Sequence, residues 1–356
     1  MEPLPEHIQE LENLTVYSAG AEPAVDISFQ KDVTYGDSEE VLFRRMGEVA
    51  VDSLGRVFIA DPRDAVIYSF ESDGRFITRL GGSGAGPGEF DWWVRNVQVL
   101  NHHVYALDAN RNRVHKYSLE TLEIEKTVSL AENRRNYRGL ARAFPNIDNV
   151  FLRGDGTYVA EFIMNDSPQR IQPYGNRDMR VFYYLLDENG RITKKLLTFI
   201  REVRSSNGTD TQHRAPLFGR VMNGFSSDDR IYLAEPDDFL VRIYNRDGEY
   251  QSAFFYSINK IPLTTESANE ARAYKRHRFQ KYNIDNMELF DLPEFWPVLT
   301  DMKIDDQDRL WIATTVDDMS IYEWWVLEKN GELITTFEWP RSVPIEVVKN
   351  GYMYTS

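Results

Sequence analysis

The sequence predicts an all-β fold, a six-bladed β-propeller with long loops and one helical insertion on one face. The main observation is a phrase that recurs along the chain: short apolar strands separated by Asp-Gly or similar turns, with no helix between them. Its clearest copy runs from Gly47 to Phe90. Several short strands per repeat without a helix are typical of a propeller blade. A propeller hosts many unrelated activities, so this prediction leaves the function open.

The repeat predicts four strands in each of five blades, bounded by turns rich in Asp, Asn, Ser and Gly. In chain order the predicted strands are Val49–Asp52, Val57–Ala60, Val66–Phe70 and Phe76–Leu80; Val97–Leu100, Val104–Leu107, Val114–Ser118 and Ile124–Leu130; Val150–Leu152, Tyr158–Phe162, Arg180–Leu186 and Ile192–Phe199; Phe225–Ser226, Ile231–Ala234, Leu240–Tyr244 and Tyr250–Phe255; and Met302–Ile304, Leu310–Ala313, Tyr322–Leu327 and Leu333–Phe337.

A sixth blade begins with Val347–Lys349 and Tyr352–Tyr354, and the sequence then stops at Ser356. The alternating segment Val25–Lys31 is predicted to supply its outer strand, because joining the two ends in one blade closes the ring and removes open edges. One strand of that blade would still be missing. The predicted organisation is a polar lead-in at 1–24 and a single propeller domain at 25–356, with a helix in the insertion at 257–298.

The composition excludes several classes of protein. With 42% hydrophobic and 13% aromatic residues the chain can bury a core. A net charge of −15 argues against a nucleic-acid binder. No apolar run approaches the roughly 18–20 residues of a membrane-spanning helix. Cysteine is absent, which excludes disulfides and thiolate metal sites but is neutral about the compartment. We expect a monomer.

The long connections are predicted to gather at one end of the ring. The loops between the second and third strands of a blade and the links between blades share one face, and all the long insertions fall in this set. These are Gly81–Asn96, Ala131–Asp148, Asn165–Arg180, Arg201–Arg220 and Ser257–Val298, which together hold 18 Lys and Arg against 14 Asp and Glu. Long loops in a compact domain are uncommon and usually functional.

Arginine dominates the positive charge of these insertions, and its planar fork suits carboxylates and phosphates. We predict a ligand-binding face for an anionic peptide, glycan or partner protein. The alternative is that the arginines pair with neighbouring acids, and that the two tryptophans pack between blades instead of stacking on a ligand. The candidate residues are Trp92, Trp93, Arg134, Arg135, Arg138, Arg142, Arg177, Arg180, Arg204 and Arg214.

A second candidate site lies at the mouth of the central channel. The residue before each inner strand is Asp, Glu or Asn in all six blades, and hard oxygen ligands around one point suit Ca²⁺. The alternative is that these side chains bind water and satisfy exposed strand ends. The candidate ligands are Glu48, Asn96, Asn149, Asn223, Asp301 and Glu346.

The segment from Val49 to Gly81 resembles an NHL-type repeat, and GGSGAGPGEF (Gly81 to Phe90) resembles the GxGPGEF signature of six-bladed propeller lipoproteins exported by Bacteroidota-type bacteria. The stretch from Leu4 to Ser18 looks like the start of the mature part of such proteins. The resemblance implies export to the periplasm or outer membrane and a lipid anchor in the native protein. This chain lacks the lipid-bearing cysteine, and the sequence by itself also fits a cytoplasmic protein.

Taken together, the sequence favours a binding or accessory propeller of the cell envelope that recognises a partner through its Arg-rich face. One alternative is a metal-dependent hydrolase or lactonase with Ca²⁺ in the central channel. The other is a structural hub for protein interactions. A metal ion in the channel would favour the hydrolase.

Overall fold

In the computed structural model the repeats fold into antiparallel sheets arranged in a ring. The structure describes residues 4–18, 20–36, 40–137, 140, 147–165, 174–207, 212–214, 219–267 and 293–356. Five sheets contain four or five strands each, in sequence order apart from one added N-terminal strand, and a sixth sheet contains two. The predicted all-β propeller is confirmed.

The strands follow a short helix, α1 (Glu6–Gln9). They are β1 (Leu14–Tyr17); β2 (Val49–Val51), β3 (Val57–Asp61), β4 (Val66–Phe70) and β5 (Phe76–Gly81) of blade one; β6 (Val94–Leu100), β7 (His103–Asp108), β8 (Arg113–Ser118) and β9 (Ile124–Ser129) of blade two; β10 (Ile147–Leu152), β11 (Tyr158–Asn165), β12 (Tyr174–Leu186), β13 (Ile192–Asn207) and β14 (Gln212–Arg214) of blade three; β15 (Met222–Phe225), β16 (Ile231–Glu235), β17 (Phe239–Tyr244) and β18 (Tyr250–Tyr256) of blade four; β19 (Leu299–Ile304), β20 (Leu310–Thr314), β21 (Ile321–Leu327) and β22 (Leu333–Pro340) of blade five; and β23 (Ile345–Lys349) and β24 (Tyr352–Thr355).

A five-residue turn joins the first two strands in blades one, three, four and five. In blade one the Asp52 N–H donates to the Arg56 carbonyl, and the Asp52 carboxylate accepts from the N–H groups of Leu54 and Arg56. Asp305 forms the same arrangement in blade five. An Asp side chain that satisfies nearby amides is the reason this residue type favours turns. The recurring turn therefore sets the same strand register in each of these blades.

Neighbouring blades pack through their apolar faces. Between blades four and five, for example, Tyr232, Phe254 and Trp325 belong to one buried cluster. The rings of Phe239 and Trp325 meet edge to face with centroids 5.2 Å apart. Buried aromatic side chains remove large apolar areas from water. Apolar packing between the sheets therefore holds neighbouring blades together.

The hairpin β23–β24 occupies the place of the sixth blade. β23 lies beside β2 of blade one and β19 of blade five. Asn350 at the tip of the hairpin ties the two blades together: its side-chain amide donates to the Asp52 carbonyl at 2.8 Å, and its backbone N–H donates to the Asp306 carboxylate at 2.9 Å. The ring is thus closed at its inner edge by two strands.

The segment 25–31 was predicted to be a strand of this blade, and that prediction is wrong. It has no strand pairing, and only the N–H groups of Ala24 and Val25 reach a neighbouring carbonyl, that of Ile334 in β22. Phe29 packs on Phe337 and Trp339 at 4.9 and 5.5 Å between centroids. The alternating apolar residues of this segment cover an apolar surface. A strand would also need a free sheet edge beside it with which to form hydrogen bonds.

Residues 20–36 and 40–46, here called the strap, cover the outer part of the sixth-blade position. The strap passes from blade five to blade one, where Tyr35 meets Phe70 and Phe43 meets Tyr68 edge to face. The Tyr35 hydroxyl donates to the Ser72 carbonyl at 3.0 Å. Side-chain packing therefore replaces the missing outer strands.

The predicted lead-in is also structured. β1 pairs in parallel with β18 and becomes a fifth strand of blade four. Ile8 of α1 is completely buried beside Leu240 and Phe255. Tyr17 stacks on Tyr256 with centroids 5.1 Å apart. Residues 4–17 are thus part of the packed structure, so the predicted boundary at residue 24 does not separate a free segment from the domain.

Two of the predicted long loops contain strand in their described parts. β12 starts at Tyr174 and β13 continues to Asn207, so residues 174–180, 201–207 and 212–214 of these insertions form an extended antiparallel arm of blade three. In the insertion at 257–298, Thr264 caps a helical turn at 265–267, because its hydroxyl accepts the Ser267 N–H at 3.1 Å. The rest of the predicted helix lies outside the described residues.

Candidate functional site on the long-loop face

The long connections emerge at one end of the ring, which we call the long-loop face. Strands run antiparallel in sequence order within each blade, so successive connections alternate between the two ends. The links β5–β6, β9–β10, β11–β12 and β18–β19 all fall at the same end. The opposite end carries the tight turns, such as the one at 52–56. The arm of blade three and the insertion at 257–298 therefore share one face.

Three of the candidate channel residues lie at equivalent points of the inner strands, and the candidate of blade four does not. Glu48, Asn149 and Asp301 each stand four residues before the residue that opens the five-residue turn. In blade four that place belongs to Met222, which lies opposite Ala234 as Asn149 lies opposite Glu161. The prediction of Asn223 for this ring is wrong by one position, because the strand before its turn was too short to fix the register.

Four channel side chains already have hydrogen-bond or ion-pair partners, and two of them join neighbouring blades. The Val97 N–H donates to the Glu48 carboxylate at 3.0 Å, and the Val150 N–H donates to the Asn96 side-chain oxygen at 3.2 Å. Asp301 accepts the Met302 N–H at 2.8 Å and pairs with Lys303 at 3.2 Å. Glu346 accepts the Ser356 hydroxyl at 2.7 Å. These contacts match the alternative expectation, in which the polar side chains form hydrogen bonds with backbone groups at the ends of the strands.

Glu48 is open to the channel yet lies deep among the blades. Desolvation raises the pKa of its carboxyl, the N–H groups of Val97 and Asn96 oppose the shift, and the charge of Glu346 adds to it. Within the ranges that the structure describes, no group of three or more His, Asp or Glu side chains is placed to hold a metal ion. Calcium binding by the channel residues stays a prediction.

Blade three differs from the other blades at a buried position in its second strand. Glu161 is fully buried, whereas Ala60, Ala234 and Ala313 occupy the equivalent place in the blades with the same turn, and all three are equally buried. The row across the sheet is Asn149, Glu161 and Tyr183 in blade three and Met222, Ala234 and Val241 in blade four. A buried carboxyl group in an otherwise apolar repeat must be compensated by charge partners.

The compensation comes from Arg201 on the outer strand. Its guanidinium pairs with Glu161 and, at 2.9 Å, with Asp148, which also pairs with Arg95 at 3.2 Å. Burial raises the pKa of Glu161 to about 7, Arg201 opposes that shift and Asp148 adds to it. Burial disfavours the charge of Arg201, but the two carboxylates outweigh it and raise the pKa of Arg201. One Glu161 oxygen and the Tyr183 hydroxyl are buried without a hydrogen-bond partner.

The GPGEF segment is held rigidly by the third strand of blade two. Three side chains on one face of β8 bind its backbone: Arg113 donates to the Ala85 and Glu89 carbonyls, the His115 ring contacts the Gly88 N–H and the Glu89 carbonyl, and the Tyr117 hydroxyl donates to the Gly88 carbonyl. Burial lowers the pKa of His115 to about 4, so the ring is neutral near pH 7. The anchored GPGEF segment thus holds in place the backbone that leads to Trp92 and Trp93.

Trp92 and Trp93 occupy different environments. Trp92 is 79% exposed and has a positive φ of 75°. Trp93 is half-buried, with the guanidinium carbons of Arg45 and Arg95 at 4.9 and 5.7 Å from its ring centroid. Such cation–π contacts favour a fixed arrangement of ring and charge. Only Trp92 offers an open aromatic surface.

The predicted arginines are distributed along the long-loop face. Arg134 and Arg135 lie in a 3-10 turn at Arg134–Asn136, and Arg180 is exposed at the base of the arm. Backbone pairing places Arg177 opposite Arg204, and Arg204 opposite Arg214. Arg138 and Arg142 lie outside the described residues. The arm therefore brings three of the predicted positions into one row across adjacent strands.

Sequence reasoning missed the group formed by Arg95, Asp148, Glu161 and Arg201. One signal was available: Glu161 interrupts the predicted apolar strand Tyr158–Phe162. Its partner lies 40 residues away on a segment that was predicted to be a loop. The alternation of β13 did not extend far enough in the sequence to identify it as a strand.

A match to a protein family supports the fold. A family described as a 6-bladed beta-propeller matches residues 24–136. A protein described as exported, from Bacteroides fragilis, resembles the chain with a TM-score of 0.49 and 11% identity over 92% of this chain and 80% of that one. A protein of unknown function from Bacteroides caccae gives 0.42 and 10% over 85% of both chains, and a streptogramin B lyase gives 0.39 and 11% over 87% and 76%. No curated protein sequence matches the chain.

These structural likenesses carry no argument about activity, since a lyase and a protein of unknown function resemble the chain to a similar degree. Among the described residues, no helix is long and apolar enough to cross a membrane. The function must therefore be argued from the long-loop face itself.

Proposed function

We propose that the chain is a binding protein of the cell envelope that captures an anionic partner on its long-loop face. The observation that carries the proposal is the arm of blade three. Its strands β12 and β13 have 13 and 16 residues, against three to eight in the other blades, and β14 adds a third strand. The arm carries Arg177, Arg204 and Arg214 at paired positions.

Unpaired positive charge on the same face supports the proposal. In the described part of the chain, Arg45 and Arg63 are exposed and neither has a carboxylate partner. Both flank Asp61, whose carboxylate accepts their backbone N–H groups. An exposed Arg can take a carboxylate or phosphate with two parallel hydrogen bonds. The protein as a whole carries −15, so this face is where an anion meets the least repulsion.

The location in the cell envelope rests on the GPGEF resemblance. The segment that carries it lies within the match to the 6-bladed propeller family. The lipid anchor and the NHL relationship stay predictions. They would be tested by expressing the natural gene and asking whether the product is labelled by a radioactive fatty acid.

The binding proposal is tested with immobilised polyglutamate and polygalacturonate at 50 and 300 mM NaCl. We expect binding that weakens as salt rises, because exposed charges are screened beyond roughly 8 Å at physiological ionic strength. Changing Arg177, Arg204 and Arg214 together to Ser should lower the affinity for these probes at least tenfold.

The matched control changes Arg75, Arg191 and Lys329 to Ser on the short-turn face, which removes the same charge. The control variant should keep the melting temperature of the unchanged protein within a few degrees, because exposed charges contribute little to stability. The melting temperature of the arm variant is measured beside it, so that a loss of folding is distinguished from a loss of binding. The proposal fails if neither polyanion binds, or if both triple variants weaken binding equally, since net charge alone would then explain it.

A further inference from the structure

Trp92 is exposed and conformationally disfavoured at the same time. Its φ of 75° lies in the left-handed region, where a bulky side chain is rare and glycine is favoured. Its indole is 79% exposed, so packing does not compensate for this backbone. Strained residues of this kind persist where the surrounding structure holds them, and they cluster at ligand sites. The anchored GPGEF segment and the 3.1 Å bond from the Trp92 N–H to the Phe90 carbonyl provide that restraint.

The neighbours of Trp92 are polar and charged. Asp91 pairs with Arg111 at 3.2 Å, with both side chains partly exposed, and Asn110 donates to the Asp91 carbonyl at 2.7 Å. On the other side, Trp93 is covered by the guanidinium of Arg45. An apolar protein partner would need a contiguous apolar patch. An exposed indole that follows a residue of a carboxylate–guanidinium pair and precedes a residue covered by Arg45 instead suits a ligand with one apolar ring face and many hydroxyls.

We infer that Trp92 is the stacking platform for an acidic sugar, a hexuronate unit of a polysaccharide. The C–H face of the pyranose ring lies on the indole, the hydroxyls bind Asp91 and Arg111, and the carboxylate is drawn to Arg45. This inference rests on the proposed function and names its ligand class. Charge alone would accept any polyanion, whereas the indole adds a preference for a sugar ring over a peptide.

The test uses Trp92→Gly, which removes the platform while giving position 92 the residue that its backbone favours. We expect an unchanged or higher melting temperature, and at least tenfold weaker binding of tetragalacturonate and tetramannuronate by titration calorimetry. The matched control is His102→Gly, since His102 is also exposed with a positive φ of 63° but lies on the short-turn face. It should bind both uronates like the unchanged protein.

Two further probes separate sugar recognition from charge recognition. Maltotetraose has the ring without the carboxylate, and tetraglutamate has the carboxylates without the ring; both should bind more weakly than the uronates. The inference is overturned if Trp92→Gly binds the uronates normally, or if maltotetraose binds as tightly as they do. If tetraglutamate binds and the uronates do not, the sugar platform is wrong while the anion-binding face stands. If no anionic probe binds, both fail.

Discussion

Blades three and four have the same backbone arrangement, but the side chains that cross their sheets are polar in blade three and apolar in blade four. Both use the five-residue turn and the same strand register, yet Asn149, Glu161 and Tyr183 cross blade three where Met222, Ala234 and Val241 cross blade four. Blade three also extends into the arm. Among the blades with the five-residue turn, an acid occupies this position of the second strand only in blade three, where an outer strand brings a guanidinium to it. The blade that carries the arm is also the one with a buried acid at this position of its second strand.

The largest expected effect comes from placing the acid in the wrong blade. Ala234→Glu puts a carboxyl group among Met222, Phe239 and Leu299, which are apolar. An unpaired buried carboxylate costs several kcal/mol, so we expect a loss of about 4 kcal/mol or failure to fold. Urea denaturation measures it. Ala234→Val serves as the control for added volume, and equal losses from the two variants would remove charge from the explanation.

Removing the guanidinium of blade three should be the next largest effect. Arg201→Met leaves Asp148 and buried Glu161 without their shared partner, and breaking a buried pair in this way costs about 3 kcal/mol. Arg75→Met removes an exposed pair with Glu71 and should cost under about 1 kcal/mol. A comparable loss in the two variants would mean that Arg201 does not compensate Glu161.

The charge state of Glu161 predicts a pH dependence. Its pKa is raised to about 7 in the folded protein, against about 4.3 in an unfolded chain. The native state therefore holds an extra proton between these values. The stabilisation that comes from this proton uptake is complete below about pH 4.3 and is lost as the pH rises through 7. The pKa of Asp148 is lowered, so that group stays ionised throughout this range.

Glu161→Gln removes this titration. The stability of the unchanged protein minus that of the variant should fall by roughly 1–3 kcal/mol between pH 4.5 and 7.5. Thermal or urea denaturation of both proteins across this range measures the difference, and other titrating groups cancel in it. A constant difference would show that Glu161 is ionised in the native state at every pH tested.

The smallest effect is expected at the outer end of the cluster. Arg95→Gln removes a pair with Asp148 in which the two side chains are 40% and 27% exposed. Solvent screens such a pair, and Arg201 still holds Asp148, so we expect a loss below about 1 kcal/mol. Urea denaturation should rank this variant well above Arg201→Met. If Arg95→Gln and Arg201→Met were equally unstable, the ion pairs of the cluster would be strongly coupled, and the exposed pair would not be the weaker one.

The sequence by itself determined the features that depend on short-range chemistry. The turn residues and the alternation of apolar side chains placed the strands of the blades to within a few residues, and the position of the insertions placed the long loops at one end. These features follow from local backbone preferences and from the two-residue period of a strand. The signature at Gly81–Phe90 likewise pointed to Trp92 and Trp93.

Only the tertiary structure decided how distant segments meet. It brought Arg201 to Glu161 across 40 residues and replaced the expected strand at 25–31 by the strap. It also put Met222 in the place predicted for Asn223. Such outcomes depend on which surfaces the closed ring leaves uncovered, and on charge partners that only a folded chain brings together. A periodic pattern predicts which side chains are buried. It does not predict which other residues those side chains pack against.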